Sequence, residues 1–307
     1  MNKEKTWEEY TEEDILEANI EKYSSDVIVK FYEDLEEPKY LYSEYKVILN
    51  AATKILTPYC NKSIRAVDMC GGAGKAAFAF KECSPNSIVD LVDVSEKMLE
   101  IAEDKALKQN IKGINSIQAD AFAFLEQEQE QEQKYDLIMF SSAIHHFKDP
   151  VDLIKLASKR LSEHGLIVTI ADPTTITKTK RYKFFEFLAT NSDGKKNKLK
   201  SIFSFNQNKE LASALDPDFD LAEYQTYTGI DDIILRADLK EIGLNPLIHI
   251  RYPAGEPYMT KIMPYLGLCW AFSMIISKNI INEFAIQEKD IKEKIVKEMP
   301  FKFKFMC

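Results

Sequence analysis

The sequence of 307 residues is poor in the features that build disulfide frameworks, zinc clusters and nucleic-acid-binding faces. It has five cysteines, and no two of them have the C-x-x-C spacing of a metal or redox motif. Scattered thiols of odd number predict reduced cysteines in a cytoplasmic protein and no metal site. The formal net charge of −9 argues against a nucleic-acid partner, since binding of phosphates requires a basic face.

Long apolar segments are also lacking. The most apolar run, residues 262–277, is interrupted by Pro264 and Gly267. A membrane-spanning helix needs about 20 mostly apolar residues, so we interpret residues 268–277 as a buried strand. The acidic N-terminus has no apolar core of the kind found in signal peptides, and we expect no contact with a membrane.

The order of apolar patterns predicts an α/β fold. Residues 11–58 have helical spacing with a stop at Pro58, and from residue 64 short apolar strands alternate with helices. Such alternation is typical of a doubly wound sheet. We predict a seven-stranded, mostly parallel sheet with an antiparallel last strand, plus a helical N-terminal segment and an inserted cap. The predicted strands are residues 64–69, 87–93, 114–120, 135–142, 165–172, 245–252 and 268–277.

The same patterns divide the chain into five segments. We predict a helical N-terminal cap at 1–58, a core at 59–172, an inserted lid at 173–230, the end of the core at 231–280 and a C-terminal extension at 281–307. The lid has basic stretches at 177–183 and 194–200 and many aromatic residues, and its aromatics are either acceptor contacts or the core of a helical cap. Its lysines either steer an anionic acceptor or form a solvated face. The Glu/Gln run at 126–133 is interpreted as a solvated insertion.

Glycine is scarce, with ten in the whole chain, yet three stand in V-D-M-C-G-G-A-G-K-A-A-F-A-F at residues 67–80. G-A-G-K-A-A satisfies the dinucleotide pattern G-x-G-x-x-A, which alone is a weak signal and leaves NAD open. Asp68 would oppose a pyrophosphate just before the loop, and it suits a cationic ligand such as S-adenosylmethionine. Asp93 ends the second strand and can accept the ribose hydroxyls of either cofactor. Asp120 can accept a hydrogen bond from an adenine amine.

At these motifs the chain resembles the class I S-adenosylmethionine-dependent methyltransferases. The resemblance covers about residues 60–172 and 231–278, with one departure, since Cys70 stands where that family usually has its first glycine. Five stretches carry the resemblance in order: D-M-C-G-G-A-G, L-V-D-V-S-E-K-M-L-E-I-A, A-D-A-F, Y-D-L-I-M-F-S-S-A-I-H-H-F-K-D-P and K-R-L-S-E-H-G-L-I-V-T-I.

The resemblance implies a set of cofactor contacts. The backbone of the glycine loop would border the methionine part, Asp93 would hold the ribose, Val94 and Met98 would flank the adenine, and Ser141 would lie beneath the sulfonium. Cys70 is either a small replacement for glycine or a reactive thiol, and Met98 is either a ligand contact or simple helix packing. The full set implied for S-adenosylmethionine is Asp68, Cys70, Gly71, Gly72, Gly74, Asp93, Val94, Met98, Asp120, Ala121, Phe122 and Ser141.

Histidine is scarce, with four in the chain. Two of them, His145 and His146, follow the fourth predicted strand. A neutral imidazole there suits a general base for a hydroxyl acceptor, although His146 could instead cap the following turn. The nucleobase-methylation motif N-P-P-Y is absent, since S-S-A-I occupies its place. We therefore predict methyl transfer to a small, partly aromatic or apolar acceptor, with O-methylation favoured over N- or C-methylation.

Four alternatives stay open from the sequence. A protein with the same cofactor motifs could be a decarboxylase, a cyclase or a regulatory subunit instead of a methyltransferase. The glycine loop could belong to an NAD-dependent oxidoreductase, and the acceptor could be a protein. Association into a homo-oligomer is also left open.

Overall fold

The computed structural model of the chain describes residues 6–34, 39–60, 63–127, 134–189, 220–253 and 263–307. The Glu/Gln-rich run at 128–133, the basic stretch at 194–200 and the middle of the predicted lid lie outside these residues. All five cysteines lie within them and are free, in agreement with the prediction of reduced thiols.

Three helices precede the first strand: α1 (Glu12–Tyr23), α2 (Asp26–Asp34) and α3 (Lys39–Leu56). Thr11 begins α1 as its N-cap, because its side chain accepts a hydrogen bond from the backbone N–H of Asp14. Helix α3 ends at Leu56, just before Pro58, as the sequence predicts.

Strands and helices then alternate as predicted. They are β1 (Arg65–Met69), α4 (Lys75–Cys83), β2 (Ile88–Asp93), α5 (Glu96–Lys108), β3 (Ile114–Gln118), α6 (Ala121–Glu126), β4 (Tyr135–Ser141), α7 (Pro150–Lys159), β5 (Leu161–Pro173), α8 (Lys180–Ala189), α9 (Tyr224–Thr228), α10 (Asp232–Glu241), β6 (Asn245–Tyr252), β7 (Ala271–Ser277), α11 (Asn282–Glu298) and β8 (Lys304–Phe305). Several strand boundaries differ from the predicted ones, and one of these changes concerns a predicted site residue: β3 ends at Gln118, and Asp120 becomes the N-cap of α6.

The strands form one sheet in the order β3-β2-β1-β4-β5-β7-β6-β8. Strands β1 to β5 are parallel, and β7 lies antiparallel between β5 and β6. The predicted fold class is confirmed, but the sheet has eight strands where seven were predicted. The additional strand β8 lies in the C-terminal extension, where Phe305 pairs with Ile250 of the otherwise open edge of β6. Two residues are too few to give a strand signal in sequence.

Two apolar cores lie on opposite faces of the sheet. One combines the buried residues of α3, α4 and α11 with the sheet, and the other combines those of α6, α7 and α10. Helix α3 is a full member of the first core, since Ile48, Leu49 and Ala52 are almost completely buried. The N-terminal segment therefore contributes structural packing as well as the helices α1 and α2 that lie beside the site.

The late apolar run forms β7, which is buried along its whole length. This confirms the interpretation of residues 268–277 as containing a buried strand. Among the helices that the structure describes, none is both long and apolar enough to cross a membrane.

Candidate active site

A cavity of about 1030 Å³ opens at the carboxyl ends of the parallel strands, between the sheet and the N-terminal helices. This position is typical of ligand sites in doubly wound sheets, since strand order reverses between β1 and β4. The predicted site residues that line the cavity are Cys70, Gly71, Gly72, Asp93, Val94, Met98, Asp120, Ala121, Phe122, Ser141, His145 and His146. The structure thus brings together all of the predicted residues except Asp68 and Gly74.

The glycine loop presents bare backbone to the cavity. Gly72 has φ +51 and no atom within 4 Å of the position that a Cβ would occupy. At Gly71, by contrast, an added Cβ would meet the side chain of Leu91 and come within 2.8 Å of the Asp68 carboxyl. Gly74 has φ +80 and is the N-cap of α4, so glycine suits the left-handed turn that leads into this helix.

Asp68 lies beneath this loop, which corrects the prediction that it faces a cationic ligand. Its side chain is completely buried, does not line the cavity, and accepts a hydrogen bond from the N–H of Ala77 at 2.9 Å. Burial raises the pKa of Asp68 to about 7, and the charge of Asp93 adds to the effect. Asp68 therefore fixes the first turn of α4 and closes the space under Gly71.

Asp93 joins the glycine loop to the next helix. One carboxylate oxygen accepts the N–H of Gly72 at 2.8 Å, and the other accepts the N–H of Ser95 at 2.9 Å. Ser95 is the N-cap of α5, as predicted, and its hydroxyl also donates to the backbone oxygen of Tyr23 at 3.0 Å. Burial raises the pKa of Asp93, although these N–H groups oppose the shift. Each oxygen keeps a lone pair that can accept a hydroxyl from the cavity.

The surroundings of Cys70 disfavour a thiolate. Burial, together with the charges of Asp93 and Asp120, raises the pKa of its thiol well above the usual range. A thiolate is the reactive form of cysteine, so the alternative of a reactive thiol loses its support. Cys70 adopts φ +53, a conformation in which glycine is more at ease, and this explains the glycine expected at this position.

His145 forms a buried pair with a residue that the sequence did not single out. Its ring Nδ1 lies 2.9 Å from Asp172 Oδ1, and both side chains are almost fully buried. Burial lowers the pKa of His145 to about 4 and raises the pKa of Asp172 to about 8, although backbone N–H groups of the His145 turn oppose the second shift. Within the described part of the chain, Nε2 of His145 has no hydrogen-bond partner, and the residue lines the cavity.

A bulge in β5 aims Asp172 at this histidine. The register of β5 against β7 shifts between Thr169 and Asp172, and Ala171 adopts φ +63. The Ala171 N–H donates to the Ser273 hydroxyl at 3.2 Å, which holds the bulge. Alternation along a regular strand would give Asp172 a different direction, so its partnership could not be read from the sequence.

His146 has both ring nitrogens occupied. Its Nδ1 lies 2.8 Å from the carbonyl oxygen of Ala222, and its Nε2 lies 3.4 Å from the hydroxyl of Tyr23. Burial lowers the pKa of His146 to about 4, with the proximity of His145 adding to the effect. The contact with Ala222 differs from the cap of the following turn considered from the sequence. Within the described ranges, no group of three or more His, Cys, Asp and Glu side chains could hold a metal ion.

The fold is similar to that of two solved methyltransferases. Among solved structures, the plantazolicin methyltransferase BpumL in complex with a triazolic desmethylPZN analog and S-adenosylhomocysteine is similar at 15% identity, with 88% of this chain and 100% of that chain covered and a TM-score of 0.53. Magnesium protoporphyrin IX methyltransferase from Synechocystis PCC 6803 with bound S-adenosylhomocysteine is similar at 12% identity, with 87% and 100% covered and a TM-score of 0.53. At these identities the likeness establishes a shared fold.

Part of the sequence also matches a family model. Residues 60–207 match the model described as a methyltransferase domain. No curated protein sequence matches the chain. This methyltransferase-domain match and the S-adenosylhomocysteine bound in both similar structures confirm the family resemblance, the enzyme class and the cofactor predicted from the sequence.

Proposed function

We propose that the chain transfers the methyl group of S-adenosylmethionine to a hydroxyl of a small, partly aromatic acceptor, with His145 as general base. The observation that carries this proposal is the His145–Asp172 pair, which faces the same cavity as the glycine loop and Asp93. An amine or a thiol acceptor needs less help in losing a proton than a hydroxyl does.

The residues of the loop fit the cofactor. Gly72 offers uncovered backbone, and the Asp93 carboxylate lines the cavity with a free lone pair on each oxygen. Lys75 also lines the cavity, with its Nζ 4.3 Å from the centre of the Tyr45 ring, and would face the carboxylate of the methionine part. Val94, Met98, Asp120, Ala121 and Phe122 would surround the adenine, and Ser141 would lie near the sulfonium.

The chain's own part in the reaction is to orient the acceptor and to take its proton. When bound, S-adenosylmethionine supplies a sulfonium-activated methyl group and leaves as S-adenosylhomocysteine. The acceptor hydroxyl would lose its proton to Nε2 of His145 as its oxygen forms the new bond to carbon. When Asp172 is ionised it can only accept the N–H at Nδ1, and the tautomer with a lone pair at Nε2 is then the one favoured.

The cavity walls support a flat, partly apolar acceptor. Aromatic side chains contribute from the N-terminal helices, from the loop after β4 and from the segment before β7, namely Tyr32, Tyr45, Phe147 and Trp270.

We propose that residues 1–58 and 173–230 act as the cap and lid of this cavity, and that 281–307 is an extension of the core 59–172 and 231–280. The two similar methyltransferases, named for plantazolicin and for magnesium protoporphyrin IX, support a discrete acceptor in place of nucleic acid. We also propose that the protein works in the cytoplasm.

Ligand-dependent thermal unfolding tests the cofactor part. We expect S-adenosylmethionine and S-adenosylhomocysteine to raise the melting temperature, since a ligand at a hundred times its Kd adds about 2.7 kcal/mol to the free energy of unfolding. Asp93→Ala should abolish the rise. Asp104→Ala is a matched control on the exposed side of α5 and should retain it. A rise with NAD alone would overturn the proposal and point to an oxidoreductase.

The acceptor part is tested with a panel of small phenols, alcohols and amines, followed by mass spectrometry. The expected result is a product heavier by one methyl group and an equal amount of S-adenosylhomocysteine. O-methylation predicts turnover with phenols that falls sharply in His145→Gln. Turnover of amines with no loss in His145→Gln would overturn the role of His145.

A further inference from the structure

Glu223 is a carboxylate held by three donors beside the histidines. It lies 2.9 Å from Lys22 Nζ, accepts the Tyr23 hydroxyl at 2.8 Å, and accepts the hydroxyl of Thr226. Burial opposes its ionisation, but the neighbouring His146 and these hydrogen bonds lower the pKa of Glu223 to about 2. A permanent negative charge therefore lines the cavity, with 15% of the side chain exposed.

The partners of Glu223 also hold His146. The Tyr23 hydroxyl that donates to Glu223 lies 3.4 Å from His146 Nε2, and the backbone oxygen of the preceding residue, Ala222, lies 2.8 Å from Nδ1. The Tyr23 ring meets the imidazole edge-to-face at 5.5 Å between centroids. The His146 ring in turn lies 4.1 Å from that of His145. Helix α1 and the turn at Leu221–Glu223 thus fix His146, and His146 packs against the proposed base.

The contacts of His146 allow both of its ring nitrogens to carry hydrogen, so this imidazole can take up a proton within the histidine pair. When both ring nitrogens carry hydrogen, Nδ1–H can donate to the Ala222 oxygen and Nε2–H to the Tyr23 oxygen, whose own proton goes to Glu223. Two neighbouring imidazoles cannot both be protonated at low cost, because like charges repel at this distance. A fixed carboxylate beside them compensates one added proton. Asp172 and Glu223 act directly on the two rings, Tyr23 contacts His146, and Lys22, Tyr32 and Asp220 lie around Glu223 and Tyr23.

We propose that Glu223 is a positioning residue for methyl transfer, whose charge stabilises the proton taken up by the histidine pair while Tyr23 holds His146 against His145. This inference rests on the proposed function for its catalytic meaning. It adds two residues from outside the strand-end loops, Tyr23 from helix α1 and Glu223 from the C-terminal end of the predicted lid.

The test is a titration of the four histidine rings by NMR, with ¹³C- and ¹⁵N-labelled histidine, between pH 3 and pH 8 in the presence of S-adenosylhomocysteine, a range that includes the lowered pKa of about 4 of His145 and His146. Single histidine variants assign the signals. In Glu223→Gln we expect the apparent pKa of the His145 and His146 signals to fall by about half a unit or more, because the compensating charge is lost. Glu223→Asp keeps the charge and should restore most of the wild-type midpoint. Tyr23→Phe should broaden or split the His146 signals.

Asp26→Asn is the matched control, since the ion pair of Asp26 with Lys97 also ties the N-terminal helices to the core but touches neither histidine. We expect its titration to equal that of the wild type. Unchanged midpoints in folded Glu223→Gln, or equal shifts in Glu223→Gln and Glu223→Asp, would overturn the proposal. The titration needs no methyl acceptor, so its failure is distinct from a failure to find methyl transfer.

Discussion

Three residues other than glycine at the strand ends have left-handed backbone conformations, and all three line the cavity. Cys70 follows β1 with φ +53, Ser142 follows β4 with φ +50, and Ala171 lies in β5 with φ +63. Left-handed geometry costs a non-glycine residue roughly 1–2 kcal/mol. Such costs persist where the surrounding structure requires the conformation, and they are concentrated at functional sites. Backbone strain thus gives an independent reason to place the active site here.

The His145–Asp172 pair predicts how the kcat of methyl transfer depends on pH. The pair holds one titratable proton at neutral pH, because Asp172 titrates with a pKa of about 8. Loss of that proton makes Nε2 of His145 a stronger base, so kcat should rise with pH and level off above about pH 8. Initial rates of S-adenosylhomocysteine formation between pH 6 and pH 9 measure this.

Substitution of each residue in turn distinguishes the role of His145 from that of Asp172. His145→Gln should lower kcat by about 10²- to 10⁴-fold, the usual contribution of a general base. Asp172→Asn should remove the rise toward pH 8, since the titrating group is lost. A rise that survives in Asp172→Asn would assign the titration to another group.

At the scale of elements, α3 belongs to the apolar core although it precedes the first strand. Leu49 is fully buried there, so Leu49→Ala should lower the free energy of unfolding by about 2–5 kcal/mol. Lys54→Ala on the same helix should change it by less than about 0.5 kcal/mol. Urea unfolding of both variants measures the difference. A small loss in Leu49→Ala would mean that α3 is a detachable cap.

The buried carboxyl groups affect the stability of the whole molecule. Between pH 7 and pH 8 the unfolded chain has ionised aspartates, whereas the native chain keeps a proton on Asp172, with a pKa of about 8, and part of one on Asp68, with a pKa of about 7. The native state then binds more protons than the unfolded state, so the free energy of unfolding falls as pH rises. The histidines whose pKa is lowered in the native state oppose this only weakly, because most imidazoles of the unfolded chain are already neutral at pH 7 and above.

We expect a loss on the order of 1 kcal/mol between pH 7 and pH 8, measured by urea unfolding at each pH. Asp172→Asn should flatten the slope, since its amide does not titrate. A stability that rises over this interval would show that Asp172 is ionised in the native state.

The local sequence determined the alternation of strands and helices, the glycine loop and the polar ends of β2 and β4. These features depend on residues close together in the chain, and apolar periodicity, turn chemistry and capping are readable at that range. Asp93, Ser95 and the histidine pair were found for this reason. Asp68 was misplaced because a carboxylate beside a glycine loop can face the ligand or lie under the loop, and the packing of Leu91 and Ala77 against that region decides which.

Only the tertiary structure decided which distant residues complete the site. Asp172 reaches His145 through a bulge in β5, and Tyr23 and Glu223 meet at His146 although about 200 residues separate them. The eighth strand likewise exists because β6 offers an open edge to two C-terminal residues. The class of fold, the resemblance to methyltransferases and the cofactor loop were therefore determined by the sequence alone, since each depends on short-range patterns. The proton-handling groups depend on long-range contacts, and these exist only once the sheet, the N-terminal helices and the C-terminal end of the predicted lid are packed together.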